Sequence, residues 1–340
     1  MKNFNNKLIE WYEQNKRILP WKNSFDAYQI WLSEIILQQT RVEQGTPYFL
    51  KFLEKYPTVI DLANDSIDNI LKLWEGLGYY ARARNMHETA IIIRDQYNGI
   101  FPKTYTEIRA LKGIGDYTAA AIASFAYNLP YAVLDGNVFR VLARIFGIAL
   151  FIDTPNGKKY FQEKAQQLLD KKNPAIYNQA IMDFGSLICI PKNPKCNICP
   201  FSSNCIAHLQ NKIADFPVKS KRIIKKERHL HYFIFQDEHH IIIRHRNKQD
   251  IWKHLYDFPC IENDSKMLNK KEKDSFGLKK ISNPIELKQV LTHQIIYAYF
   301  YEFNFLIKNE SNLFLIVEKE RIATFAFPKI IKNYLINRFL

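Results

Sequence analysis

Two carboxyl groups and four thiols are the side chains of this 340-residue sequence best placed to do chemistry. Glu34 stands in "WLSEIILQQT" (31–40), a mostly apolar run with helical spacing. Its neighbours three and four positions away are Ile30, Trp31, Leu37 and Gln38, three of them apolar. On the polar stripe of a helix it is an ordinary solvated anion. Turned inward it is partly desolvated and its pKa rises. An unperturbed glutamate is protonated in ~1 molecule in 500 at pH 7, and a rise of ~2 units makes that ~1 in 6. A buried Glu34 is therefore a usable general acid, whereas a solvated one hardly is. Asp135, in "VLDGNVFRVLAR", precedes a helix and reads as an N-cap accepting from the amides of Asn137 or Val138. That role is compatible with a second one at the mouth of a cleft.

The thiols fall in "CIPKNPKCNICPFSSNC", where Cys189, Cys196, Cys199 and Cys205 are spaced C-x6-C-x2-C-x5-C. Four thiolates on one compact loop can close an iron–sulfur cluster or a zinc site, and spacing alone does not choose. Cys260 lies far away and reads as a core residue. In "IRALKGIGDYTAAAIASFA" (108–126), Gly113 and Gly115 make a tight turn directly before a helix start. Free N–H groups and the positive dipole end there suit one DNA phosphate, gripped without reading sequence. An ordinary helix–helix turn is the plainer alternative.

These residues require a framework. Residues 1–188 show apolar spacings of three and four broken by short Gly, Pro and Asp punctuation, which predicts an almost wholly helical half. Thr154 and Pro155 open a further helix. The cysteine loop follows, then a basic linker over 209–228 with six Lys or Arg between Lys219 and Arg228. From His229 the pattern turns α+β. "HLHYFIFQDEHHIIIRHR" predicts a β-hairpin turning at Asp237-Glu238, "QVLTHQIIYAYFYEFNFLI" is strand-rich, and "PKIIKNYLINRFL" reads as a helix. The expected domains are thus 1–208 and 229–340. A net charge of +14 points to a polyanion partner or a Lys-rich surface. No run of apolar residues is long enough to span a membrane. "MKNFNNKLIEWYEQNKR" lacks a signal-peptide core, so a soluble, unexported, cytoplasmic protein is expected.

Taken together, "LPWKNSFDAYQIWLSEIILQQTRV", "LWEGLGYYARARN", "LKGIGDYTAAAI", "LDGNVFRVLAR", "NQAIMDFGSLIC" and the four-cysteine loop resemble the adenine DNA glycosylases of the MutY type. The likeness is dense over 1–205. It is looser in the second half, on "IWKHLYDFP" and "LTHQ". It implies a helix-hairpin-helix glycosylase fold with a [4Fe-4S] cluster on Cys189, Cys196, Cys199 and Cys205, followed by a Nudix-like domain. The implied substrate is adenine opposite 8-oxoguanine or guanine in double-stranded DNA, swung out of the stack before cleavage. Association with the nucleoid and a monomeric state are further expectations tied to that resemblance. Glu34 would protonate the base, and Asp135 would stay ionised against the oxocarbenium-like sugar, by analogy with two-carboxylate glycoside hydrolysis.

Further residues take roles only through that resemblance. Trp21, Lys22 and Gln179 would line the adenine pocket. Leu37, Gln38, Gln39 and Tyr79 would meet DNA around the lesion, with the hairpin glycines Gly113 and Gly115 on its backbone. Thr292 and His293 would read 8-oxoguanine. Tyr117 stands where the endonuclease III type carries a Schiff-base lysine, which implies a glycosylase without efficient strand cleavage. Three departures stand out. Lys112 replaces the usual proline before the hairpin, offering a phosphate contact or a weak lyase activity. Leu291-Thr292-His293 replaces Phe-Ser-His, and Lys22 replaces arginine, losing a planar donor fork. No R-E-x-x-E-E string lies between Cys260 and Val290, which argues against pyrophosphohydrolysis. The competing readings are an endonuclease III-like pyrimidine glycosylase with lyase activity, and a non-catalytic DNA-binding protein. Tyr117 and the second domain disfavour the former, and two acids that mere binding does not need disfavour the latter.

Overall fold

A computed structural model of the chain describes residues 2–22, 24–220, 224–271, 283–304 and 314–339. Its helices are α1 (Lys2–Asn15), α2 (Ala27–Leu37), α3 (Val42–Lys55), α4 (Val59–Asn64), α5 (Ile67–Trp74), α6 (Ala81–Gln96), α7 (Tyr105–Ala110), α8 (Asp116–Tyr127), α9 (Gly136–Phe146), α10 (Pro155–Leu168), α11 (Pro174–Leu187), α12 (Ile206–Leu209) and α13 (Lys329–Ile336). The chain divides into two compact units, 1–63 with 88–221 and 64–87 with 222–340.

The first unit is helical. At its centre α2 is buried on nearly every side, with Trp31, Leu32 and Ile36 fully enclosed. A helix apolar all round belongs inside a protein, and this one drags Glu34 in with it. Local chemistry fixes the helix starts. Asp26 accepts from Tyr28 N–H at 2.9 Å to cap α2, and Asp135 accepts from Val138 N–H at 2.8 Å to cap α9. Thr154 accepts from Gly157 N–H at 3.2 Å, with Pro155 in the first turn of α10. Between α7 and α8 the chain turns through Gly113, whose φ of 76° is the left-handed region that glycine enters without strain.

Among the described residues the second unit is built on a seven-stranded sheet: β1 (Lys226–Gln236), β2 (His240–His245), β3 (Tyr256–Asp257), β4 (Cys260–Asn263), β5 (Ile285–Val290), β6 (Gln294–Asn304) and β7 (Leu315–Glu318). Its main path runs β3-β2-β1-β6-β5, with β1 and β6 parallel and the other pairs antiparallel. The β1–β2 hairpin turns at Asp237 and Glu238, and Leu291-Thr292-His293 forms the turn between β5 and β6. One sheet face carries a stacked ladder including His229 on Tyr297 and Phe233 on Tyr301. On the other, Tyr334 of α13 stacks on Phe300 at 4.2 Å.

Two expected boundaries need correction. Residues 209–228 are not a free basic tether. Ile152 N–H donates to Val218 C=O at 3.1 Å, Ser220 N–H donates to Asp153, and Phe216 is buried, so 209–220 lies on the first unit. Lys226, Glu227 and Arg228 already belong to β1, and Arg228 is buried between Asp250 and Glu262 with its guanidinium bonded to both. Lys221 and Arg222 lie outside the described residues. The second correction concerns 64–87, expected within 1–208, which packs with the second unit. There Glu75 accepts from Phe327 N–H at 3.0 Å and pairs with Lys332, Tyr256 OH donates to Asp68, and Arg84 donates to Lys253 C=O. Such partners are more than 150 positions away and leave no local mark. Part of the segment lacking the hydrolase string, 272–282, also lies outside the described residues.

Candidate active site

Glu34 is 7% exposed, which decides between the two readings of its helix. Burial drives its carboxyl up to about 7, the neighbouring Asp135 charge pushes the same way, and a hydrogen bond with the Tyr117 hydroxyl pulls against both. Tyr117, on the first turn of α8, is raised well above its ordinary value by burial and by the two carboxylates. Its hydroxyl also lies 3.9 Å from Met182 Sδ. Asp135 accepts from Val138 N–H and, at 2.6 Å, from the Asn137 side-chain amide. Burial pushes its carboxyl up, while these bonds and the Arg140 charge favour the anion.

Glu34 faces a cavity of about 30 Å³ lined also by Trp21, Lys22, Met182, Gln179 and Asp183. That is far below the roughly 300 Å³ of an ordinary ligand pocket, so a purine enters only if the walls open. The polar wall is tied together. Asp183, fully buried on α11, bonds the Lys22 ammonium and accepts from Arg17 Nε at 2.7 Å. Tyr12 OH donates to Gln179 Oε1 at 3.0 Å. Burial lowers the pKa of Lys22 and lifts that of Tyr12 to about 12. Sequence reasoning named Trp21, Lys22 and Gln179 but missed Tyr12, Arg17 and Asp183. Asp183 carried the same signal as Glu34, an acid within the apolar run "AIMDFGSL".

Beside the hairpin opens a larger cavity of about 1230 Å³, lined by Gly113, Gly115, Tyr117, Gln38, the α10 lysines Lys158 and Lys159, and Lys171 beyond the end of that helix. Gln38 donates to Thr118 Oγ1 at 3.3 Å, joining the end of α2 to the hairpin helix. Leu37 ends α2, and Gln39 follows with φ 56°, a left-handed conformation uncommon outside glycine. Lys112 pairs with Glu88, so its ammonium is already engaged beside the hairpin.

Tyr79, Thr292 and His293 are in the second unit. Tyr79 is 41% exposed, has φ 48°, and follows Gly76 and Gly78, both also left-handed. Arg82 lies over the Trp74 and Tyr79 rings and donates to Gly78 C=O at 3.2 Å. The hydroxyls of Tyr79 and Thr292 hydrogen-bond each other, and His293 is exposed at the same turn.

All four loop cysteines line one small cavity with Arg144 and Phe184. Arg144, 3% exposed, approaches Cys189 Sγ at 3.7 Å and donates to the carbonyls of Ile190 and Pro191. Burial raises the Cys189, Cys196 and Cys199 thiols, the last to about 11. Cys260 is half-buried in β4, opposite Tyr232. Among the described residues no three acidic, histidine or cysteine side chains gather closely enough to grip a single metal ion. No described helix is long and apolar enough to cross a membrane.

Residues 32–171 match the HhH-GPD superfamily of base excision DNA repair proteins, and 231–337 match a NUDIX domain. An adenine DNA glycosylase of Buchnera aphidicola subsp. Baizongia pistaciae is 39% identical over 86% of this chain and 84% of its own. The adenine DNA glycosylase of Rattus norvegicus is 40% identical over 60% of this chain and 42% of its own. Among solved structures, a thermostable thymine-DNA glycosylase aligns with TM-score 0.58 at 29% identity, covering 62% of this chain and 96% of that one. A non-covalent endonuclease III–DNA complex aligns with TM-score 0.54 at 19% identity, covering 62% of this chain and 95% of that one, a likeness of fold.

Proposed function

From a chain that belongs to the adenine DNA glycosylase family, we propose an enzyme that removes adenine opposite 8-oxoguanine or guanine in duplex DNA by hydrolysing its N-glycosidic bond. The observation carrying this reading is Glu34, a carboxyl with a pKa of about 7 at the wall of the Trp21–Gln179 cavity, under the influence of Asp135. Near neutral pH such a group is both a proton donor and, after donation, a base.

Adenine first leaves the stack and enters the opened cavity. Protonated Glu34 gives its proton to a ring nitrogen, so the bond to the sugar breaks with its electron pair going to a neutral base. Asp135, kept anionic by Val138 N–H, the Asn137 amide and Arg140, faces the positive sugar. Water adds to the sugar carbon and its proton returns to the Glu34 carboxylate. The product is an abasic site. Tyr117 is a phenol, without the amine that an imine to the sugar requires, so the strand stays intact. Lys22, Asp183 and Gln179 form the polar wall that orients the base.

On the DNA side, the hairpin N–H groups at Gly113–Asp116 take a backbone phosphate. Leu37, Gln38, Gln39 and Tyr79 fill the space the adenine leaves. Left-handed backbone at Gln39 and Tyr79 suits this reading, since strained conformers concentrate where side chains must be presented outward. Thr292 and His293 recognise the opposing 8-oxoguanine. A [4Fe-4S] cluster fits the thiol loop, because thiolates spread around one cavity suit several irons rather than one point. Cys189, Cys196, Cys199 and Cys205 would hold it, and when bound it would fasten 189–205 against α9 and α11.

The test is a labelled duplex with adenine opposite 8-oxoguanine, developed with and without hot alkali. Cleavage only after alkali is expected. Cleavage without alkali identifies a lyase, and binding without an abasic product refutes catalysis.

A further inference from the structure

Asp135 is reached along Pro130–Leu134, a stretch with no regular secondary structure. Ala132 and Val133 are nonetheless 2% and 1% exposed. Buried backbone N–H and C=O groups need partners, and here no strand supplies them. Side-chain amides do so instead. Ala132 N–H donates to Gln166 Oε1 at 2.9 Å, and Gln162 Nε2 donates back to Ala132 C=O at 3.0 Å. Gln166 Nε2 also donates to Pro130 C=O at 2.7 Å. Gln162 and Gln166 are one turn apart on α10 and therefore share a face.

Asn178 of α11 serves the neighbouring residues. Val133 N–H donates to its Oδ1 at 3.2 Å, and its Nδ2 donates to Tyr131 C=O at 2.8 Å. Partners thus alternate along the chain, α10 for 130 and 132, α11 for 131 and 133. This is the period-two pattern of a strand bonded along both edges. Asn178, fully buried, uses Nδ2 again to donate to Ser124 Oγ of α8 at 3.0 Å. The helix α8 carries Tyr117, the partner of Glu34. Gln179, the next residue, lines the cavity.

We propose that Gln162, Gln166 and Asn178 form an amide clamp that sets the position of Asp135 against the Glu34–Tyr117 pair. They are positioning residues for excision, acting through the backbone that leads to Asp135. The inference rests on the catalytic reading of Asp135. A regular strand at this place would need a neighbouring strand, whereas amides on two helices reach a lone segment from both sides. Asn178 also ties it to α8 and α11, which carry Tyr117 and Gln179.

The decisive variants are Gln166→Met and the double Gln162→Met/Gln166→Met. Both side chains are partly exposed, so their removal leaves the fully buried Asn178 and the fold intact. Single-turnover adenine release from an adenine:8-oxoguanine duplex should slow about tenfold in the single variant and about 100-fold in the double, the scale expected of a misplacement near 1 Å. Duplex affinity should stay within twofold, while the melting temperature falls by a few degrees, because the buried backbone groups of Ala132 lose their partners. Gln166→Glu, which keeps the acceptor for Ala132 N–H, should recover part of the rate. Release by the double variant within twofold of the unaltered protein overturns the clamp while leaving the function standing. A slowing matched by equal loss of affinity, or a Gln166→Glu rate no better than that of Gln166→Met, also overturns it, marking a merely structural role. Adenine release by Asp135→Asn near the unaltered rate overturns the function, and the clamp with it.

Discussion

Replacing Glu34 with glutamine should abolish adenine release and, as pH rises, stabilise the protein. The folded carboxyl titrates near 7 against an ordinary value of 4.5. Below pH 4.5 both folded and unfolded chains hold the proton, and ionisation does not bear on stability. Between 4.5 and 7 the unfolded chain releases it while the folded chain keeps it. Stability therefore falls by about 1.4 kcal/mol per pH unit, because the unfolded state binds fewer protons. Above 7 the loss levels off at about 3 kcal/mol, the product of the shift and that slope. Glutamine has the same shape and can still accept from Tyr117, but it never ionises. Glu34→Gln should match the unaltered protein at pH 4.5–5 and exceed it at pH 8 by roughly 6–12 °C in melting temperature for a unit of about 200 residues. The assay is paired thermal melts from pH 5 to 8.5, followed by intrinsic fluorescence. A melting difference that does not change with pH would mean an ordinary carboxyl at position 34, which could not serve as the proton donor.

Single-turnover adenine release should drop about tenfold from pH 6 to pH 8, since a donor titrating near 7 loses its proton across that interval; a flat profile contradicts a Glu34 donor. Thr292→Ala should chiefly reduce the preference for 8-oxoguanine over guanine, read as the ratio of excision rates; equal loss on both duplexes removes the assignment. Changing Lys158, Lys159 and Lys171 to alanine should lower the slope of log affinity against log salt by roughly 1–3, about 0.9 for each phosphate no longer neutralised; an unchanged slope excludes this cavity rim from the DNA path. Arg228→Met should cost the second unit about 1–2 kcal/mol, since Glu262 is part-exposed and Asp250 keeps Arg246 as a partner. Its duplex affinity should not change; lost affinity with unchanged stability would contradict a purely structural Arg228.

What the sequence alone determined is what depends on near neighbours. Asp26, Asp135 and Thr154 begin helices because a short polar side chain reaches an amide two or three residues ahead. Gly113 marks a turn that demands positive φ, the cysteine spacing defines a loop, and β-rich aromatic and branched runs separate strand from helix after residue 228. The motif order over 1–205 likewise made the family legible. What lay beyond it depends on distant partners. Helical spacing alone allowed Glu34 to be solvated or buried, and only the packing of α2 at the centre of its unit shows that it is buried. The left-handed backbone at Gln39 and Tyr79, the capture of 64–87 by the sheet unit, and the inclusion of Arg228 in a strand carry no local signature. Neither do the amides that hold Asp135, since Gln162, Gln166 and Asn178 look in sequence like ordinary polar helix residues. A capping bond is settled within one turn of chain. Burial, and the pKa that follows from it, is settled by everything that packs around the group.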